Sequence, residues 1–132
     1  MEPSSPSSVI CNTKFSDDPD LQKVYMAILQ ACEEITMHIR YNTSNKITTA
    51  NDFGDVQLDF DVQIDSILFD NLTQCGVVYS ASSEERPYMS KLNDKGKFIV
   101  TFDPLDGSSI IDSNLAIGTI AGIWIKPDDF DD

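Results

Sequence analysis

Between Lys46 and Arg86 the chain carries no basic residue, while Asp52, Asp55, Asp59, Asp61, Asp65, Asp70, Glu84 and Glu85 all fall inside that interval. A fold must keep these carboxylates apart in water or gather some of them round a cation, because converging carboxylates repel and raise one another's pKa. For Asp52, Asp59 and Asp70 a solvated helix face answers the problem. Glu84 and Glu85 are different. They follow the apolar run Val77-Val78-Tyr79 after the short polar stretch Ser80 to Ser83 and so fall beyond the end of an expected strand, where sites form and where adjacent carboxylates can each take a different metal ion. The imbalance extends to the whole chain, with 22 Asp plus Glu against 9 Lys plus Arg and a formal net charge of −13. That balance lacks the Lys/Arg stripe a nucleic acid or an anionic membrane requires, and a phosphorylated substrate would need added cations.

The 132 residues are one domain's length, and 41% of them are hydrophobic, enough for a sizeable core. Residues 1–16, rich in Ser and Pro, read as a flexible lead-in, with no secretory or transit signal. A cytoplasmic protein without a spanning segment is expected. Cys11, Cys32 and Cys75 are too few and too widely spaced for a disulfide framework or a zinc site, and are expected to be reduced thiols, two of them in the core. Asp18-Pro19 reads as an N-cap followed by a proline in the first helical turn. Leu21, Val24, Tyr25, Ile28, Leu29, Cys32, Ile35 and Ile39 then recur at helical spacing, predicting an amphipathic helix of about five turns. His38 on that helix has no obvious metal partner. Asn42 to Gly54 has no period and is expected to be a loop, followed by a second helix over Asp59 to Leu72 with Asp61 and Asp65 one turn apart. Val77 to Tyr79, Lys97 to Phe102 and Leu115 to Ile125 read as strands. Helices first and strands after predict an α+β fold, helices layered on a sheet, occupying 17–126, with 127–132 as an acidic tail.

The sharpest local signal is Phe102-Asp103-Pro104-Leu105-Asp106-Gly107-Ser108-Ser109. Asp103 and Asp106 lie three apart across a proline-initiated turn, so their carboxylates can converge on hard cations, with a backbone carbonyl between them as a further ligand. Gly107, Ser108 and Ser109 then offer backbone N–H groups at a helix start, an anion site suited to phosphate. A plain turn with an Asp cap is the alternative reading of the same residues.

These residues bring the chain close to a known family. AND-FGD-VQLDFD at Ala50 to Asp61, SASSEE at Ser80 to Glu85 and GKFIVTFDPLDGSSIIDSNLAIGTIAGIW at Gly96 to Trp124 resemble the N-terminal part of the class I sugar bisphosphatases, the fructose-1,6- and sedoheptulose-1,7-bisphosphatases. Inositol monophosphatases and nucleotide phosphatases share the acidic pair and a DPxDG turn, but the wording here is closer to the sugar bisphosphatases. The resemblance implies the layered helix/sheet sandwich of the sugar phosphatases and Mg²⁺-dependent hydrolysis of the C1 phosphate of a sugar bisphosphate. Glu84, Glu85, Asp103, Asp106 and the Leu105 carbonyl would hold two or more magnesium ions. Asp55 and Asp61, with Glu85, would orient and deprotonate the attacking water, and Asp106, Gly107, Ser108 and Ser109 would hold the phosphate. Ile110 and the segment to Asn114 favour the seven-carbon sugar. FSDDPD replaces the Gly-Thr-Gly-Glu segment used in AMP inhibition, with Phe98 in place of a tyrosine beside Lys97, and no paired redox cysteines are recognisable. A homo-oligomer is implied for the full-length form. Family members are more than twice this long, so a fragment is expected, either a phosphatase or a remnant that only binds metal.

Overall fold

The structure is a computed structural model that describes residues 12–45, 53–108 and 116–130. Helix α1 spans Pro19–Asn45 and α2 spans Phe53–Gln74. Asp18 caps α1 as expected: its Oδ1 accepts the N–H groups of Asp20 (2.9 Å) and Leu21 (3.3 Å), satisfying donors the first turn leaves free. Within the expected flexible lead-in, Thr13 to Ser16 are held against this helix start. Gln22 accepts the Phe15 N–H and donates to the Thr13 carbonyl, both at 2.8 Å, and Phe15 stacks on Tyr25. At the far end of α2, Gly76 (φ 77°) takes the left-handed conformation that ends a helix without a Cβ clash.

Four strands follow: β1 (Val78–Ser83), β2 (Ser90–Lys91), β3 (Phe98–Asp106) and β4 (Gly118–Ile125). The sheet order is β2-β1-β3-β4, with β1 and β3 parallel and the other pairs antiparallel. Val24, Ala27, Ala31 and Ile35 of α1 pack on α2. Phe60, Ile64, Leu68 and Leu72 of α2 close over Val78, Ala81, Phe98, Val100 and Phe102 of the sheet. One sheet face is thereby covered. On the other, Ile120 and Trp124 stay exposed, and the Trp124 indole N–H bonds the Thr101 hydroxyl at 3.3 Å.

The α+β layering agrees with the sequence reading, and several boundaries move. Asn42 to Asn45 and Phe53 to Asp59, expected in a loop or at a later helix start, are helical; Lys46 to Asp52 lie outside the described residues. Polar residues continue both helices because backbone hydrogen bonding needs no apolar stripe once a helix is nucleated. The first strand begins one residue later than expected and runs on to Ser83, and β2 was not anticipated, its two residues being too few for a pattern. β3 continues through the DPLD segment, where a chain turn was expected. Cys32 and Cys75 are free thiols but only half-buried, with Cys75 packed against the core's margin; Cys11 lies outside the described residues. The expected acidic tail is held down in part, since Phe130 packs edge-on against Tyr79.

Candidate functional site

Helix α2 runs back toward the start of β1, so its first half overhangs the carboxyl ends of the parallel strands β1 and β3, where open sheets form their crevices. Three segments meet there. Asp61 comes from α2; Glu84 and Glu85 follow β1 directly; Asp103 and Asp106 lie at the end of β3. The Glu84 N–H donates to the Phe102 carbonyl at 3.1 Å, extending the β1/β3 pairing by one step and setting Glu84 beside Asp103.

The end of β3 carries an irregularity that shapes the site. Asp103 pairs with Ile120 and Asp106 with Gly118, so β3 has one more residue than β4 between these points. An extra residue of this kind bends the strand and re-aims its side chains. Leu105 turns into the core with Phe102, and Asp103 and Asp106 fall on a common side, where both charges act on Glu84. Asp103 Oδ1 accepts the Leu105 N–H at 3.1 Å, the Thr119 hydroxyl donates to the Pro104 carbonyl at 2.8 Å, and Gly107 (φ 86°) turns the chain away.

Electrostatically the cluster is strained in one direction. The Asp103 charge, then a shared hydrogen bond with Asp103, pushes the Glu84 carboxyl above its ordinary value, with burial, Asp106 and Asp61 adding. Partial loss of hydration raises Glu85, followed by the charges of Asp61, Glu84, Asp65 and Asp103. Burial raises Asp61, and Asp103 adds to it, while a hydrogen bond from Ser108 acts in the opposite sense. Asp61 Oδ1 is buried with no hydrogen-bond partner, an arrangement that costs free energy until a donor or cation meets it. As the side chains stand, no three acidic, histidine or cysteine groups among the described residues are gathered closely enough to grip an ion. The donor set, carboxylates and a backbone carbonyl, is all hard oxygen and fits Mg²⁺, Mn²⁺ or Ca²⁺ rather than a softer metal.

Of the residues singled out from sequence, Asp61, Glu84, Glu85, Asp103, Asp106, Gly107 and Ser108 are brought to one end of the sheet. Asp55 lies in the first turn of α2 with its side chain outside the described residues, as is Ser109. The sequence reading passed over Asp65 as a site residue and left it without a local countercharge. It is 1% exposed, and Arg86 Nε meets its Oδ2 at 2.8 Å, while the Ser83 hydroxyl donates to its Oδ1 at 2.5 Å. Its place on the buried stripe with Ile64, Leu68 and Leu72 was the available signal.

Set beside known proteins, the chain falls in one family. The family model "Fructose-1-6-bisphosphatase, N-terminal domain" matches residues 9–132, and the chain belongs to that family. Among curated proteins it is 39% identical over 111 residues to the class 1 fructose-1,6-bisphosphatase of Campylobacter curvus, covering 82% of this chain and 37% of that protein. It is 38% identical over 114 residues to the chloroplastic sedoheptulose-1,7-bisphosphatase of Triticum aestivum, covering 85% of this chain and 29% of that protein. Leishmania major fructose-1,6-bisphosphatase in its holo form superposes with a TM-score of 0.72 at 29% identity, over 92% of this chain and 37% of that one. The chain thus spans about a third of the length of the curated relatives it matches.

Proposed function

We propose that this chain carries the metal-binding half of a sugar-bisphosphate phosphatase site, which hydrolyses the C1 phosphate with the help of two or more Mg²⁺ ions. The observation that carries the reading is the convergence of Asp61, Glu84, Glu85, Asp103 and Asp106 beside the Gly107-Ser108 turn, with carboxyls pushed upward by one another's charge and an unpartnered Asp61 oxygen. Family membership supports it. Glu84, Glu85, Asp103, Asp106 and the Leu105 carbonyl would hold the ions. Bound divalent cations lower the pKa of a coordinated water and offset charge on the leaving oxygen.

The chain's own residues supply the rest. Asp61 and Glu85, with Asp55, accept the proton of the attacking water. Asp106 and the backbone N–H groups of Gly107, Ser108 and Ser109 receive the phosphate. Arg86, next in sequence to the glutamate pair, is committed to Asp65, so it is not free to neutralise either the cluster or an incoming phosphate.

Sedoheptulose 1,7-bisphosphate is placed ahead of fructose 1,6-bisphosphate on Ile110 to Asn114, which lie outside the described residues. Absence of AMP control rests on FSDDPD in place of the Gly-Thr-Gly-Glu segment and on Phe98 in place of a tyrosine. No helix among the described residues is long and apolar enough to cross a membrane, and we assign the protein to the cytoplasm. A homo-oligomer is proposed for a full-length form.

The test is phosphate release from the two bisphosphates, side by side, with and without Mg²⁺. Turnover that needs Mg²⁺ and falls at least 100-fold in Asp103→Asn supports the reading; a metal-independent rate refutes it. A second reading, cation binding without turnover, is favoured by Arg86, the cation next to the glutamate pair, being committed to Asp65. Calorimetric Mg²⁺ binding with no phosphate release would select it.

A further inference from the structure

We infer that Arg86 and Asp65 are positioning residues that set the Glu84/Glu85 pair relative to Asp61, an inference that rests on the cation site proposed above. The problem they solve is visible in the backbone. Glu84 and Glu85 lie beyond the end of β1, off the strand ladder, with like charges beside them on both sides. Among the described residues, only the bond from the Glu84 N–H to the Phe102 carbonyl links this pair to the sheet backbone directly.

The remaining restraint comes from Ser83 and Arg86, which bracket the glutamates. The Ser83 N–H donates to the Arg86 carbonyl at 3.0 Å, and the Arg86 N–H donates to the Ser83 carbonyl at 3.2 Å and to its hydroxyl oxygen at 3.0 Å. This closes the turn on itself. The Arg86 side chain then fixes the turn to α2. Its Nε meets Asp65 Oδ2 at 2.8 Å, its Nη2 donates to the Ser66 hydroxyl at 3.1 Å, and its guanidinium lies 4.3 Å from the centre of the Phe69 ring. The other Asp65 oxygen receives the Ser83 hydroxyl. One buried carboxylate therefore holds both ends of the bracket.

Asp65 stands one helical turn after Asp61, on the same side of α2. The guanidinium, fixed in a planar fork by Asp65, Ser66 and Phe69, thus couples the helix that presents Asp61 to the turn that presents Glu84 and Glu85. Lysine has no fork to do this. Asp65 is buried and Arg86 one-third exposed, and taking a carboxylate out of water for such a pair is a poor device for stability alone, since an apolar pair of similar volume does as well or better. Holding acidic groups in register is a use such a pair serves and an apolar pair does not. Partners that orient metal-binding groups are worth roughly 10- to 100-fold in metal affinity.

The experiment measures Mn²⁺ affinity by calorimetry, and melting temperature in chelator, for the parent chain, Arg86→Lys, Arg86→Met and Asp65→Asn/Arg86→Met. We expect Mn²⁺ affinity to fall about 10-fold or more in Arg86→Met and at least 5-fold in Arg86→Lys. The double variant, which leaves no unpaired buried charge, should regain melting temperature over Arg86→Met while its affinity stays low. A merely structural pair would lower the melting temperature and leave affinity within twofold of the parent, which overturns the inference. If Arg86→Met fails to fold, unchanged affinity in Arg86→Lys overturns it alone. A folded parent that binds no Mn²⁺ refutes the cation site itself and the inference with it, a result distinct from equal binding by parent and variants.

Discussion

Replacing Gly96 with alanine tests the packing that fixes β3 against β1. A Cβ built on Gly96 would lie 2.2 Å from the Tyr79 amide nitrogen, 2.4 Å from the Val78 carbonyl carbon and 2.5 Å from Tyr79 Cα. All three are backbone atoms of β1, so no side-chain rotation relieves the clash and one segment must move. Overpacking of this kind costs about 1–3 kcal/mol. Displacing the turn also endangers the Gly96 N–H to Asn93 carbonyl bond (3.0 Å) and the Lys97 N–H to Val77 carbonyl bond (2.8 Å), each worth about 1 kcal/mol. Against this stands about 0.4–1 kcal/mol from the stiffer unfolded chain, leaving a net loss of about 2–4 kcal/mol. With an unfolding entropy of about 2.1 cal/mol/K per residue, the melting temperature should drop by about 7–14 °C. Gly118→Ala is the control, because a Cβ there meets nothing within 4 Å. Circular dichroism melts of both variants in chelator decide the matter. A Gly96→Ala chain melting within about 3 °C of Gly118→Ala would refute the close approach as a determinant of the fold.

Other outcomes follow from the same contacts. Asp18→Ala should cost about 1 kcal/mol by removing the cap of α1, read as a lower urea midpoint with unchanged slope; an unchanged midpoint would show the cap to be dispensable. The Asp20 and Lys97 pair should shape the pH profile. Hydrogen bonding to Lys97 holds the Asp20 carboxyl below its ordinary value of 3.8, so its contribution is present above that value and lost as pH falls through the lowered one. Hydrogen bonding to Asp20 holds Lys97 above 10.5, so its contribution is present below that value and lost as pH rises through the raised one. The melting-temperature gap between parent and Asp20→Asn should therefore be widest in the neutral range, close at both extremes, and shrink in high salt. A gap independent of pH would show that charge plays no part in it.

What could be read along the chain was whatever is written in short intervals. The cap and apolar spacing of α1 lie within consecutive turns, and the DPLDG segment places two aspartates and a glycine within five residues. What escaped depends on residues far apart in sequence. Asp65 appeared as one more uncompensated carboxylate because its cation, Arg86, stands just beyond the basic-free interval, and only the packing of α2 on β1 brings them together. That pairing changes the charge account of the whole site. With Asp65 paired to Arg86, the site carboxylates from the interval that have no cation beside them, among the described residues, are Asp61, Glu84 and Glu85, joined by Asp103 and Asp106 from β3. The proline of DPLDG misled for a related reason. Pro104 has no N–H to give a ladder and reads as a turn, yet a strand admits proline where an irregularity frees that position, and β3 has its extra residue there. The same extra residue puts Asp103 and Asp106 on one side of the strand, an arrangement that two aspartates three apart in an unbroken strand could not reach. The residue that breaks the strand pattern is thus the one that assembles the acidic site.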